Sequence, residues 1–250
     1  MKLSIIIPTL VDRVPETVKK FAAGRDDVEV VKIVGVSPVS QARREGFERS
    51  TGDYIWFVDD DDEISPSGLG EVGGVGRWRE DVDIFRYRTD GWMNIGTKIY
   101  RREILAKAFA EMGEEPMTRF EDGLLYVTAL KYAKKVENVD REIYVYQRRE
   151  DSASHQFDPM IVREAERLAA VVPERAEELF TYIATEMCRV KAGWGEIRKV
   201  LGELRRSSLM EAAKRSKDAY TRKMVWAVKW AWLVRAYRLL KPWRSGGSGE

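Results

Sequence analysis

The sequence is poor in two of the residues that build covalent and metal frameworks. Its 250 residues include one cysteine and one histidine. A single thiol cannot form an internal disulfide, and no zinc-ligand spacing can be assembled from this set. The composition therefore suits a reducing compartment. Cys188 stands among apolar, helix-forming residues and reads as a core filler. Long apolar runs are also missing. The opening MKLSIIIPTL is too short for a signal peptide and is cut by Pro8. No stretch reaches the ~20 apolar residues that span a bilayer, so a cytoplasmic location is expected. Charge of one sign is lacking too: the formal net charge is +2, which excludes polyanion binding by bulk charge and makes nucleic acid an unexpected partner. Glycine is not scarce, and residues 67–76 read SGLGEVGGVG. No Gly-Lys-Ser/Thr follows them, so they are no phosphate loop; they read as a mobile loop or a lid over a site.

What is present is a globular composition, 44% hydrophobic, with unevenly placed charge. Acids gather at 59–63 and again at Glu111, Glu114, Glu115, Glu121 and Asp122, while bases crowd the stretch from Arg198 to Arg244. Leu3 to Ile7 is a continuous β-branched run of the kind buried on both faces in a parallel sheet, ended by Pro8 and Thr9. Pro15 to Ala23 and Ser40 to Ser50 read as helices, the second stopped by Gly52. Val28 to Val36 and Tyr54 to Val58 read as strands. Strand-helix alternation of this kind argues for an α/β sheet. Asp83 to Arg88, Thr97 to Arg101 and Glu142 to Gln147 are further strand candidates. Glu103 to Met112 and Gly123 to Ala133 are helix candidates, and the chain from Pro159 onward reads as almost wholly helical.

The stretch YIWFVDDDDEISP, residues 54–66, drives an apolar strand into four aspartates. Like charges repel, so such a cluster is costly unless a cation or water offsets it. In open α/β sheets the carboxyl ends of the strands form the ligand crevice. Hard divalent cations such as Mg2+ and Mn2+ take one or two protein carboxylates plus phosphate oxygens of a substrate. Asp59 and Asp61, two apart on an extended strand, would point the same way and could hold such an ion. The competing reading is a solvated acidic turn with Asp62 capping a helix before Pro66.

Four motifs in order carry a resemblance. They are LSIIIPTL, GVSPVSQARREGFERSTGDYIWFVDDDDEISP, RFEDGLLYVTAL and IYVYQRREDSAS, together spanning roughly residues 2–155. In these the chain resembles the family 2 glycosyltransferases of GT-A fold. The resemblance implies a Rossmann-like mixed sheet flanked by helices over residues 1–155. A helical region over 156–244 and a flexible tail over 245–250 would follow. It also implies metal-dependent, inverting transfer of a sugar from a nucleotide-diphosphate sugar, a UDP-sugar by preference, to a hydroxyl of a glycan or lipid-linked acceptor. Carried over by residue, Asp122 is the catalytic base, with Glu121 before it. Asp59, Asp61 and Asp62, with His155 as a late addition, are the ligands of Mn2+ or Mg2+. Pro8, Thr9, Arg43, Asp59, Asp60, Arg148 and Arg149 border the nucleotide and its phosphates, and Lys98 and Tyr100 border the acceptor. On spacing alone, Glu121 and Asp122 also suit the positive end of a helix dipole.

The chain departs from that family after its second strand. Val28 to Val36 runs almost directly into Ala42-Arg43, so one strand-helix unit is missing, and with it the acid that meets the nucleotide base. Asp26 or Asp27 are the available substitutes, and Arg44 stands where an asparagine is usual. The rivals are a noncatalytic sugar- or membrane-binding protein of the same fold and a sugar-phosphate nucleotidyltransferase. Finally, residues 222–244 place Trp226, Trp230, Leu233, Tyr237 and Leu240 at helical spacing. Lys223, Arg238 and Lys241 lie to another side. Such a helix either docks, on the catalytic domain or in a homodimer, or lies on an anionic membrane at the cytoplasmic face.

Overall fold

The computed structural model describes residues 1–65, 80–89, 91–147, 157–190 and 192–230. Arg148, Arg149, His155, the glycine-rich 67–76 stretch and the chain beyond Trp230 lie outside the described residues. Two compact units are formed, Met1–Arg148 and Arg149–Glu250.

In the first unit the elements run β1 (Leu3–Thr9), α1 (Glu16–Ala22), β2 (Val28–Val34), α2 (Val39–Arg49), β3 (Tyr54–Phe57), β4 (Glu63–Ile64), β5 (Ile84–Tyr87), β6 (Lys98–Arg101), α3 (Arg102–Met112), α4 (Glu121–Tyr132), β7 (Val136–Val139) and β8 (Tyr144–Val145). Six strands form one sheet in the order β2-β1-β3-β6-β5-β7, and β4 and β8 form a separate antiparallel pair. β1 is parallel to both neighbours, β6 is antiparallel to β3 and β5, and β5 and β7 are parallel. The sheet is therefore mixed.

Every residue of β1 is buried, as its unbroken apolar run demands. Ile5 and Ile7 join Tyr54, Trp56, Phe85 and Ile99 on one face, which Val18 and Phe21 of α1 cover. Ile6 and Ile33 lie on the other face, under Gly46 of α2. Full burial of each such side chain stabilises by about 1.5–3 kcal/mol. Two of the largest buried polar ends are satisfied: the Trp56 indole donates to the Gly96 carbonyl at 2.6 Å, and the Tyr54 hydroxyl to the Val82 carbonyl at 2.6 Å.

Three local expectations are corrected. β1 continues through Pro8 and Thr9, paired with Ile33 and Val34 of β2. This is tolerated because β1 pairs with β3 only as far as Ile6, so the missing proline N–H falls where β3 has already ended. α2 stops at Ser50, not by a glycine cap. Gly52 serves close approach instead: its N–H donates to Ser4 Oγ at 2.7 Å, and a Cβ there would sit 2.7 Å from the Ser4 nitrogen. β7, with the polar sequence VENV, has no apolar run to betray it and owes its strand form to pairing with β5. The strand expected over 142–147 is only Tyr144–Val145, paired to β4.

β2 is an edge strand of the sheet and runs into α2 through four residues, 35–38. Val30 and Val34 are exposed on it. Asp26 and Asp27 precede β2, at the opposite end of the sheet from the aspartate run that follows β3. They cannot replace an acid lost after β2.

The second unit is helical: α5 (Ile161–Val171), α6 (Ala176–Arg189), α7 (Trp194–Arg206), α8 (Ser208–Lys214) and α9 (Ala219–Lys229). Its core holds Leu168, Phe180, Ile183, Ile197, Leu201, Leu204, Leu209 and Val228. Ser207 caps α8 by accepting from the Met210 N–H, and Asp218 caps α9 from the Thr221 N–H. Within α9 the inward face is Thr221, Met224 and Val228, whereas Trp226 is 61% exposed and Trp230 50%. The tryptophans are thus not the core side of this helix. Cys188 is half-buried on α6, its thiol directed at the Ala184 carbonyl at 3.4 Å.

Candidate active site

The end of β1, the turn after β3, the middle of α2 and the start of α4 converge at the carboxyl end of the parallel strands. The aspartates do not prolong β3. Asp62 N–H donates to the Asp59 carbonyl at 3.2 Å, closing a four-residue turn. β4 follows immediately at Glu63, so Asp62 caps no helix. Asp59, Asp60 and Asp62 consequently take different directions. Asp60 accepts from the Thr9 hydroxyl at 2.5 Å, tying the turn to the end of β1. Asp59 accepts from Arg43 at 2.7 Å. Asp59, Asp60 and Asp61 are half-buried, but Asp62 is 2% exposed. Asp62 accepts from the Tyr144 hydroxyl at 2.5 Å and from the Gln147 N–H at 2.7 Å. Burial pushes its carboxyl up to about 6 despite those two donors.

Arg43 is the centre of the arrangement. It is 5% exposed on α2 and pairs with Asp59 on one side and with Glu121, itself 6% exposed, on the other. Burial works against its charge, but the charges of Asp59 and Asp122 outweigh that and raise its affinity for the proton. Glu121 and Asp122 form the first turn of α4 rather than preceding it. Phe120 before them has φ 59 and ψ 3, a left-handed conformation unusual for a bulky residue. No sequence signal announces this kink, which sets the direction in which α4 departs. The Asp122 carboxylate accepts from the Gly123 N–H at 2.7 Å. Burial pushes it above the ordinary carboxylate range, against the pull of Arg43 and Lys98.

Lys98 and Tyr100 share a face of β6 and are both fully buried. The Lys98 ammonium lies 4.6 Å from the Tyr126 ring centroid and donates to the Asn94 carbonyl at 2.5 Å. Burial lowers it to about 8, against the opposing effect of Asp122. Tyr126 is four residues beyond Asp122, on the same side of α4, and its hydroxyl accepts from Arg86 at 3.2 Å. Lys98 thus lies under α4, where it acts on Asp122 through space. A neighbouring cavity of about 350 Å³ is lined by Arg43, Arg44, Phe109, Met117, Glu121 and Leu125, among others.

Among the described residues, no three His, Cys, Asp or Glu side chains are grouped to hold a metal ion. Asp59 and Asp61 remain a donor pair of the right chemistry for a hard cation that takes its other ligands from phosphate and water. The structure thus brings Thr9, Arg43, Asp59, Asp60, Glu121 and Asp122 together and turns Asp62 inward. Tyr144 meets the turn, and Phe120 starts α4; both lie within the quoted motifs, which gave neither a role.

The family model for Glycosyl transferase family 2 matches residues 10–120. The solved structure of Staphylococcus aureus TarS residues 1–349 in complex with UDP-GlcNAc is similar over 98% of this chain and 93% of that one, with a TM-score of 0.59 and 16% identity. The same TarS fragment with UDP gives a TM-score of 0.56 at 14% identity over the same shares. At such identity the likeness is one of fold, and the fold is GT-A. A search of curated proteins finds no match.

Proposed function

Because residues 10–120 carry the glycosyl transferase family 2 sequence on a GT-A fold, we propose that the chain transfers a sugar from a nucleoside-diphosphate sugar to a hydroxyl acceptor, with inversion at the anomeric carbon. The observation that carries this reading is the convergence of Asp59, Arg43, Glu121 and Asp122 at the strand ends. In this reading Asp122 takes the proton from the acceptor hydroxyl. That oxygen bonds to the anomeric carbon as the bond to the diphosphate breaks, and the nucleoside diphosphate leaves with the electron pair. A carboxyl held above its ordinary range is suited to general-base work near neutral pH. Arg43 keeps the aspartate turn and α4 at a fixed separation, and its positive charge sits where phosphate charge would develop.

Asp59 and Asp61 would hold Mg2+ or Mn2+, which when bound supplies positive charge to the leaving diphosphate. A uridine nucleotide is the preferred donor, in keeping with the UDP-GlcNAc held by the TarS fragment of the same fold. The acceptor is a glycan or a lipid-linked sugar. The second unit contributes contact with an anionic membrane surface through α9, supported by its exposed tryptophans beside Arg222, Lys223 and Lys229. No helix among the described residues is long and apolar enough to cross a membrane.

The test is thermal stability against UDP, GDP, CDP and dTDP with and without Mn2+, followed by nucleotide release from the matching sugar donor. A ligand of the native state raises the melting temperature by mass action. Stabilisation by one nucleotide, lost in Asp61→Ala, and turnover lost in Asp122→Asn are the expected results. Folded protein that no nucleotide stabilises would favour the noncatalytic rival.

A further inference from the structure

The acidic turn is held from outside itself, by the first tyrosine of the IYVYQRREDSAS motif, to which neither the motif nor the charge pattern assigns a role. Tyr144 opens β8, whose pairing with β4 matches Ile64 to Tyr144 and Glu63 to Val145. Ser65 N–H adds a bond to the Ile143 carbonyl at 2.9 Å. This places the Tyr144 ring beneath the turn, 9% exposed, packed on Gly96, where any Cβ would collide with ring carbons. Its hydroxyl meets the turn twice. It donates to Asp62 Oδ2 at 2.5 Å and lies 3.4 Å from the Asp59 amide nitrogen, whose N–H it accepts. The other Asp62 oxygen takes the Gln147 N–H at 2.7 Å. Both Asp62 oxygens are therefore engaged by protein donors.

We infer that Tyr144 is a positioning residue for the cation and diphosphate site, and that Asp62 is its anchor and not a metal ligand. The hydroxyl bridges the first and last residues of the Asp59–Asp62 turn and so fixes the direction of Asp59 at its start and of Asp61 within it. A buried carboxylate without this donor would lose a charge-assisted bond and pull toward solvent, and the turn would open with it. The inference rests on the proposed donor site for its consequence, while its geometric part stands without it.

The experiment uses the full chain and the variants Tyr144→Phe, Asp62→Asn and their double. Phenylalanine keeps the ring on Gly96, so the variant should fold, and far-UV circular dichroism with a melting curve checks this. Two readouts follow. Amide hydrogen exchange in the absence of ligand should quicken at Asp59 and across the turn in Tyr144→Phe. Titration with UDP in the presence of Mn2+ should show about tenfold weaker binding in each single variant and no further loss in the double, since both remove one interaction. Unchanged exchange at Asp59 overturns the inference. So does a loss of Mn2+-dependent UDP binding in Asp62→Asn far beyond that in Tyr144→Phe and additive in the double, the result a direct ligand gives. Wild-type protein that ignores UDP and Mn2+, with exchange still quickened in Tyr144→Phe, would uphold the hold of Tyr144 on the turn and remove the donor-site reading alone.

Discussion

Arg43, from α2, is paired with Glu121, in the first turn of α4, and both side chains are withdrawn from solvent. Two segments almost eighty residues apart in sequence are thus joined by opposite charges with little water between them. Removing one partner of such a pair leaves an uncompensated charge in low dielectric. Arg43→Met should cost about 3–5 kcal/mol of unfolding free energy, read from urea denaturation, and should abolish donor turnover. The double Arg43→Met, Glu121→Leu should recover part of the stability and none of the turnover. Full recovery of activity would show that Arg43 serves the fold alone.

Lys98 offers a pH test with two signs. Its folded-state value of about 8 lies below the ordinary 10.5. The cost of burying its charge is therefore fully present below pH 8 and is relieved between pH 8 and 10.5, where the folded chain binds fewer protons than the unfolded one. Lys98→Met should be the more stable protein at pH 7, and that advantage should shrink as pH climbs through this window. For turnover the effect reverses. Lys98 pulls the Asp122 carboxyl down, so its loss should move the acidic limb of the kcat/KM profile to higher pH. A limb that stays in place would separate Lys98 from the base.

Glu29 ties the sheet edge to the loop before β3. Its carboxylate accepts from the Lys2 ammonium at 2.5 Å, the Ser4 hydroxyl at 2.5 Å, the Thr51 hydroxyl at 2.8 Å and the Gly52 N–H at 3.1 Å. Partial burial works to raise its proton affinity, but the donors outweigh it and hold it at about 2, against an ordinary 4.5. The stabilisation is present above pH 4.5 and is lost as pH falls through 2. Glu29→Gln should cost about 1–2 kcal/mol at pH 7, allowing for screening of its exposed lysine partner. The two proteins should converge in stability near pH 2, as denaturation curves across pH would record.

The exposed Trp226 and Trp230, with Lys229 set 5.9 Å from the Trp226 ring centroid, give α9 an outward aromatic and basic side. Co-sedimentation with vesicles rich in phosphatidylglycerol should be strong at low salt and weaken as salt screens the bases. Trp226→Ala with Trp230→Ala should reduce it further, without loss of helix content. Absence of co-sedimentation at low salt would leave these indoles to a protein partner.

The strands and helices that were legible in the sequence are those with one dominant cause. The Leu3–Ile7 run, the helix over 103–112 and the apolar lead into the aspartates each follow from local pattern. β7 was illegible because VENV is held by its neighbour β5, not by its own hydrophobicity. The acids and Arg43 were legible as a motif, but their directions were not. An extended strand would have sent Asp59 and Asp61 the same way. The turn closed by the Asp62 N–H instead gives Asp59, Asp60 and Asp62 a partner each, from α2, β1 and β8. Tertiary contacts of that kind leave no trace in spacing. The same holds for α9, whose inward side is taken by Thr221, Met224 and Val228 while Trp226 stays exposed.

The strand order has a consequence for the chain as it leaves the ribosome. β2, β1 and β3 use residues 3–57 and can pair while synthesis continues, because each lies beside a strand already made. The aspartates emerge directly behind them. Their partners arrive late, Glu121 with the start of α4 and Tyr144 with β8. A chain made only as far as residue 110 would hold five strands of the sheet and all four aspartates, yet neither the far partner of Arg43 nor the hydroxyl that shapes the turn. Competence is thus withheld until nearly the whole first unit has been translated.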